Sequence, residues 1–122
     1  MKSVIFNTVL VASILATSFV LVSGVNITWG TIGPYDHLIA RDFVQHEANW
    51  FTKHKEVVNY PPKGHQSFKL LSAVRVLDFG GKKNFGYATL LRGGPGFYNS
   101  SIEVRSQARK PLNMTIEYFS RY

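Results

Sequence analysis

Cysteine is absent from this sequence, and its absence excludes several kinds of chemistry. A chain without thiols has no disulfide, no cysteine nucleophile, no cysteine-zinc site and no cysteine-bound iron–sulfur cluster. Small secreted domains often depend on disulfides for their stability. We therefore expect this chain to be stabilised by side-chain packing and by the hydrogen bonds of β-sheets.

Sequence motifs for catalysis are absent as well. We find no Gly-x-Ser-x-Gly elbow and no phosphate-binding loop that ends in Lys-Ser or Lys-Thr. His46 and Glu47 begin like a zinc-protease motif, but Trp50 stands where the second histidine is required. The remaining histidines are dispersed, at His37, His54 and His65. We predict that the protein is not an enzyme and has no catalytic residue, no metal site and no cofactor.

Acidic residues are few, with seven Asp and Glu against 14 Lys and Arg and a formal net charge of +7. A basic protein can attract nucleic acid, sulfated sugars or lipid headgroups. The basic residues are scattered, however, and no long basic run or basic helix is present. We interpret the charge as a solvated surface.

Apolar residues form only one long run, at residues 4–22, which follows a single lysine. This is the layout of a secretory signal peptide, with a plausible cut after Ser23 or Gly24. A membrane-spanning helix needs about 20 apolar residues, so length alone leaves an uncleaved anchor open. Several polar residues interrupt the run and no basic cluster follows it. We predict a signal helix over 1–24, a single secreted domain over 25–122, and no stable membrane anchor.

Beyond the apolar run the sequence alternates between apolar and polar residues, with turn residues about every ten positions. Residues 38–45 fit either a strand or a short helix, and residues 67–79 fit one bent strand or two strands. The pattern predicts an all-β fold, a small antiparallel β-sandwich or barrel of about seven strands. We expect the many aromatic rings to form its core. The predicted strands lie within 25–29, 38–45, 49–60, 67–79, 87–92, 99–107 and 113–121.

Two features of these strands concern charge and turns. Glu103 and Glu117 are predicted to face outward on neighbouring strands, in a solvated network with Arg105 and Arg121. The segment Gly93-Gly94-Pro95-Gly96 is interpreted as a structural turn, because glycine permits positive φ and proline fixes its own φ. An anion-binding nest of glycine amides is the alternative.

Three N-glycosylation sequons are present, Asn26-Ile27-Thr28, Asn99-Ser100-Ser101 and Asn113-Met114-Thr115. In a strand, residues two apart lie on the same face, and in each sequon the middle residue belongs to the predicted inward set. The sequence therefore predicts that the acceptors Asn26, Asn99 and Asn113 face outward and carry glycans.

Seven ordered segments carry a family resemblance. They are Asn26-Ile27-Thr28-Trp29-Gly30, Tyr60-Pro61-Pro62-Lys63-Gly64, Ser72-Ala73-Val74-Arg75-Val76-Leu77-Asp78, Gly86-Tyr87-Ala88, Gly93-Gly94-Pro95-Gly96-Phe97, Arg105-Ser106-Gln107 and Met114-Thr115-Ile116-Glu117-Tyr118. Together they resemble the arthropod family named for multiprotein bridging factor two, and the resemblance covers about residues 26–121. The chain departs from the family near its end, where Phe119-Ser120 replaces the usual Gly or Ala after the tyrosine.

The resemblance implies two different functions. The family is named for a transcriptional co-activator that bridges a DNA-bound regulator and the general transcription machinery without binding DNA itself. Many members, often labelled probable salivary secreted peptide, resemble small secreted proteins with no known enzymatic activity. We expect a secreted, glycosylated, non-enzymatic interaction protein of saliva or body fluid, which binds an unknown protein or glycan and does not bind nucleic acid directly. The alternative is the intracellular co-activator, and the oligomeric state is left open.

Overall fold

The computed structural model describes residues 26–49 and 51–122. The predicted signal helix over residues 1–24 lies outside the described residues. Within the described part of the chain, no helix is long and apolar enough to cross a membrane. The described residues form seven strands: β1 Ile27–Gly30, β2 His37–His46, β3 Lys55–Tyr60, β4 Ala73–Asp78, β5 Tyr87–Gly93, β6 Ser100–Arg105 and β7 Leu112–Ser120.

The strands pair into two antiparallel sheets. The larger sheet has the order β1-β4-β7-β2, and the smaller has the order β3-β6-β5. The last strand, β7, lies inside the larger sheet and pairs with both β2 and β4. The prediction of an all-β antiparallel fold with about seven strands is confirmed.

Aliphatic side chains from both sheets meet in one core. Each strand contributes alternate residues, because successive side chains of a strand point to opposite faces. Burying one such side chain contributes about 1.5–3 kcal/mol to folding. The fully buried members include Val74, Val76, Met114 and Ile116 from the larger sheet, with Ile102 and Val104 from the smaller.

Tyr118 of β7 connects the two sheets through its ring. The ring stacks on that of Tyr60 in β3, with 4.3 Å between the centroids. Its hydroxyl donates a hydrogen bond of 2.9 Å to Asp42 Oδ2 in β2. Burial, followed by the nearby Asp42 carboxylate, raises the pKa of Tyr118 above its ordinary value. The phenol therefore stays protonated and keeps its role as a donor.

The prediction that the aromatic rings form the core is wrong for most of them. Among the described aromatic residues only Tyr118 and Phe119 are buried. Strand alternation explains Phe43, which is 68% exposed because its neighbour Val44 takes the inward position in β2. Other large rings at the surface are Tyr35, Phe51, Phe68, Phe79, Tyr87, Phe97, Tyr98 and Tyr122.

The predicted strand at 67–79 is much shorter in the structure, where only Ala73–Asp78 is extended and paired. The preceding residues make hydrogen bonds outside a ladder instead. Leu71 donates its amide hydrogen to the carbonyl of Phe97, and its own carbonyl accepts from Gly96. These hydrogen bonds tie Leu71 to the glycine-rich turn just before the strand begins, and Phe68, further upstream, is 82% exposed.

Other strand bounds differ by smaller amounts. Residues 38–45, for which the sequence allowed a helix, form the strand β2. Among the described residues of the predicted segment 49–60, only Lys55–Tyr60 form a strand. β6 begins at Ser100, so Asn99 belongs to the turn rather than to the strand.

Candidate functional site

A cleft of about 590 Å³ opens beside the loop that leaves β3. We call it the Pro-loop cleft. Pro61 and Pro62 break the strand at this point, because proline has no amide hydrogen to donate to a ladder. The turn between β5 and β6 forms the facing wall. The cleft is lined by residues 59–67, Arg92 and residues 98–101.

The cleft combines basic, aromatic and amide side chains. Lys63, His65 and Arg92 are exposed at its surface, and the Tyr98 ring is half-exposed. Ser101 Oγ donates a hydrogen bond of 2.6 Å to Asn59 Oδ1 on the neighbouring strand. Among the described residues that line the cleft, none carries a carboxylate. The arrangement offers positive charge, hydrogen bonds and a ring face to a bound group.

The glycine-rich turn positions the two ends of the facing wall. Gly93, Gly94 and Gly96 have φ values of 69°, 97° and 87°, in the left-handed region that glycine adopts most easily. The Gly94 amide donates to the carbonyl of Asn99, and the Gly96 amide donates to that of Leu71. Because these two amides already have partners within the protein, they are not available to form an anion nest.

The three predicted glycan acceptors lie in different parts of the fold. Asn26 is exposed just before β1, and its Oδ1 accepts a hydrogen bond of 3.0 Å from the Asp78 amide. Asn99 is exposed in the wall of the Pro-loop cleft. Asn113 is half-buried on β7, where its Oδ1 accepts a hydrogen bond of 3.4 Å from Gln45 Nε2. The structure therefore does not bring the three acceptors together.

The outer face of the larger sheet, which points away from the core, carries an ordered arrangement of side chains. The strand register aligns these side chains in three rows that run across the sheet. Each row has one residue from β2, one from β7 and one from β4, except that the third row takes Phe79, which directly follows β4. We call these the charged row, the middle row and the sequon row. They consist of Arg41, Glu117 and Arg75; of Phe43, Thr115 and Leu77; and of Gln45, Asn113 and Phe79.

Glu117 is the centre of the charged row and is only 5% exposed. Its two carboxylate oxygens accept hydrogen bonds from Arg41 at 3.0 Å and from Arg75 at 2.6 Å. Burial raises the pKa of Glu117. The hydrogen bonds and positive charges of the two arginines lower it by a larger amount, so the pKa is below its ordinary value.

The predicted network of Glu103 with Glu117 is wrong. Glu103 lies on β6 of the other sheet, where it pairs with Lys55 at 3.5 Å. Arg121, also predicted to join the network, pairs with Asp36 at 3.2 Å. The sequence pattern identified outward positions on strands, but it did not show that the two strands belong to different sheets.

Two of the histidines come together near the end of β2. The rings of His46 and His54 stack with 4.7 Å between centroids, and His46 Nε2 lies 2.7 Å from Glu56 Oε1. His65 lies apart from them, in the Pro-loop cleft. In the part of the chain that the structure describes, no three His, Asp or Glu residues are placed to hold a metal ion.

Sequence reasoning missed Lys63 and Arg92 as site residues. Each stands next to a turn that the sequence did reveal, Lys63 after Pro61-Pro62 and Arg92 before Gly93-Gly94. The turns were the only indication of a site in the sequence, because turns at the same end of a sandwich can form one cleft. Which turns meet depends on the order of the strands, and the local pattern does not contain that information.

Comparisons with known proteins agree on the group to which this chain is similar. A family model described as transcription activator MBF2 matches residues 29–120. A curated protein of Bombus ignitus named "Probable salivary secreted peptide" is 31% identical over 97 residues, which cover 80% of this chain and 70% of that protein. No solved structure matches the chain.

Proposed function

The chain belongs to the MBF2 family, and from this membership we propose that it is a secreted, glycosylated protein of saliva or body fluid that binds a partner without catalysing a reaction. The partner is a protein or a glycan that presents acidic groups, and it occupies the Pro-loop cleft. In this function the protein does not bind nucleic acid directly and has no stable membrane anchor.

The composition of the Pro-loop cleft is the observation that carries the binding role. Lys63 and Arg92 supply positive charge, and no carboxylate lines the described part of the cleft. Tyr98 adds a ring face and Asn59 adds an amide. These groups recognise a ligand by charge, stacking and hydrogen bonding.

Three further observations support secretion. The apolar run at residues 4–22 follows a lysine, as in signal peptides. Three sequons are available for glycans. The relative in Bombus ignitus carries a name that describes a salivary secreted peptide. Each observation is independent of the cleft.

The test is expression of the full chain with a C-terminal tag in insect cells. We expect the protein in the medium, with an N-terminus that begins after Ser23 or Gly24 and with a mass above that of the bare polypeptide. A protein that stays in the cell with Met1 intact would contradict the proposal.

A second candidate function follows from the description of the family model, which names a transcription activator. An intracellular co-activator would bridge two proteins without binding DNA itself. The same experiment separates the candidates, since a co-activator would be found in the nucleus, without glycans and with residues 1–24 still attached.

A further inference from the structure

The sequon row on the outer face of the larger sheet places a glycan acceptor between two strands that carry phenylalanines. Asn113 lies opposite Gln45 in β2. On its other side, the carbonyl of Asn113 accepts a hydrogen bond of 2.9 Å from the Phe79 amide, so Phe79 is its neighbour across the sheet. Side chains of directly opposed residues are about 5 Å apart at Cβ. The Phe79 ring is therefore within reach of a sugar on Asn113.

The middle row extends this apolar surface. Phe43 lies opposite Thr115, one step diagonal from Asn113, at a distance of about 7–8 Å that a large side chain spans. Leu77 lies on the other side of Thr115. Phe43 is 68% exposed and Phe79 is 60% exposed. Together with Arg41 and Glu117 of the charged row, the middle and sequon rows form a shallow cleft of about 440 Å³ that includes Asn113 in its lining.

We propose that the N-linked glycan on Asn113 folds back onto Phe79 and Phe43 and covers the outer face of the larger sheet. The inference rests on the proposed function, because this modification is added only to chains that enter the secretory pathway. Exposed apolar patches of this type mark surfaces that contact something else. Here the occupant is supplied by the chain itself, since the sequon Asn113-Met114-Thr115 lies within the patch.

The attachment chemistry is that of every N-glycan. Asn113 Nδ2 attacks the anomeric carbon of an oligosaccharide that is joined to a lipid diphosphate. A carbon–nitrogen bond forms, the carbon–oxygen bond to the lipid diphosphate breaks, and the amide nitrogen loses one proton. In the folded structure Gln45 Nε2 donates to Asn113 Oδ1. This hydrogen bond does not involve Asn113 Nδ2, the atom to which the sugar is attached.

Stacking of a sugar on these rings has a simple physical basis. One face of a pyranose ring presents C–H bonds, whose hydrogens are slightly positive, and the face of an aromatic ring is slightly negative. The contact also removes apolar area of Phe43 and Phe79 from water. A glycan held in this way would cover the outer face of the larger sheet, whose cleft shares no lining residue with the Pro-loop cleft.

The experiment is a double-mutant cycle on protein secreted from insect cells and trimmed to one sugar at each occupied site. One change removes the sugar, Asn113→Gln. The other removes the rings, Phe43→Ser together with Phe79→Ser. With the rings present, we expect the trimmed glycoprotein to melt about 4 °C above Asn113→Gln, which is the scale of one aromatic stacking contact in a domain of this size. With the rings removed, we expect that difference to vanish.

Phe68→Ser is the matched control, because Phe68 is also exposed, at 82%, and lies outside the sequon and middle rows. It should leave the effect of the sugar unchanged. Proton spectra provide a direct readout, in which ring currents of Phe79 and Phe43 shift the sugar protons of Asn113.

The outcomes separate this inference from the proposed function. An occupied Asn113 whose sugar shows no coupling to the two rings overturns the inference and leaves the secreted glycoprotein intact. A secreted chain with Asn113 unmodified does the same. A chain that is retained in the cell without any glycan overturns both.

Discussion

At the scale of single residues, Glu117 is a carboxylate that is almost fully buried and is paired on both sides. It is held by two arginines from two different strands, which lie on either side of β7. Arg75 also lies over the ring of Phe119, with 5.2 Å between its central carbon and the ring centroid. The arginines are partly exposed, so solvent weakens each ion pair, but the carboxylate itself is almost fully covered.

Glu117→Gln keeps the shape of the side chain and removes its charge. We expect the free energy of unfolding at neutral pH to fall by about 1–3 kcal/mol, because two charge-assisted hydrogen bonds weaken and two arginines lose their counter-charge. Urea unfolding of the two proteins measures the difference. Glu103→Gln is the matched control and should cost less than about 1 kcal/mol, since its partner Lys55 is well exposed.

The same pair of proteins gives a pH dependence of known sign. The pKa of Glu117 is lower in the folded protein than the ordinary value of about 4.3 in an unfolded chain. Its contribution to stability is therefore complete above about pH 4.3 and is lost as the pH falls through the lower folded value. Unfolding curves recorded at decreasing pH should bring the wild type and Glu117→Gln together. A difference that stays constant down to about pH 2 would contradict this assignment.

At the scale of elements, the turn between β5 and β6 fixes two parts of the structure. Its amide and carbonyl groups hold the segment before β4 in place through Leu71. It also places Arg92 and Tyr98 on the wall of the Pro-loop cleft. Its glycines differ in what surrounds them. A Cβ on Gly93 would overlap the carbonyl oxygen of Asn99, whereas a Cβ on Gly96 would meet open space.

Because their surroundings differ, replacement of each of these two glycines by alanine should reduce stability by a different amount. Gly96→Ala should reduce stability by about 1–2 kcal/mol, the cost of a left-handed conformation for a residue with a Cβ. Gly93→Ala should cost clearly more, because the overlap with Asn99 adds to the same backbone term. Thermal unfolding of both variants provides the comparison. Equal losses would show that backbone conformation alone sets the requirement for glycine in this turn.

At the scale of the whole molecule, the arrangement of charge matters more than its total. The chain carries a formal net charge of +7. Several carboxylates are paired with cations, Glu117 and Glu103 on the sheets and Asp36 in the loop before β2. The Pro-loop cleft has two cations and no carboxylate in its described lining. Positive potential is therefore expected to be stronger at this end of the sandwich than the scattered sequence positions suggest.

Heparin serves as an anionic probe of that difference. The double variant Lys63→Gln with Arg92→Gln should bind immobilised heparin about tenfold more weakly, since each exposed ion pair contributes up to about 1 kcal/mol. Lys82→Gln with Lys83→Gln removes the same charge outside the cleft and should have a smaller effect. Equal losses for the two double variants would mean that heparin responds only to net charge.

Much of this molecule could be predicted from local patterns. Alternation predicted the inward positions Met114, Ile116 and Tyr118, because the two-residue period of a strand is a property of the chain itself. Gly and Pro identified the turns for a similar reason, since they act on their own φ angles. The aromatic rings were misplaced because hydrophobicity alone does not exclude the outer face of a sheet, as Phe43 and Phe79 show.

The sequence by itself determined the fold class and the family, since both depend on local periodicity and on ordered segments of the chain. Only the tertiary structure decided which strands become neighbours. Arg41 and Glu117 are 76 residues apart in sequence, and Arg75 and Glu117 are 42 apart, yet the sheet places them in one row. The cleft around Lys63 and Arg92 has the same origin. Such neighbours depend on the order and register in which strands distant in sequence pair within a sheet, and the local pattern of the chain does not contain that information.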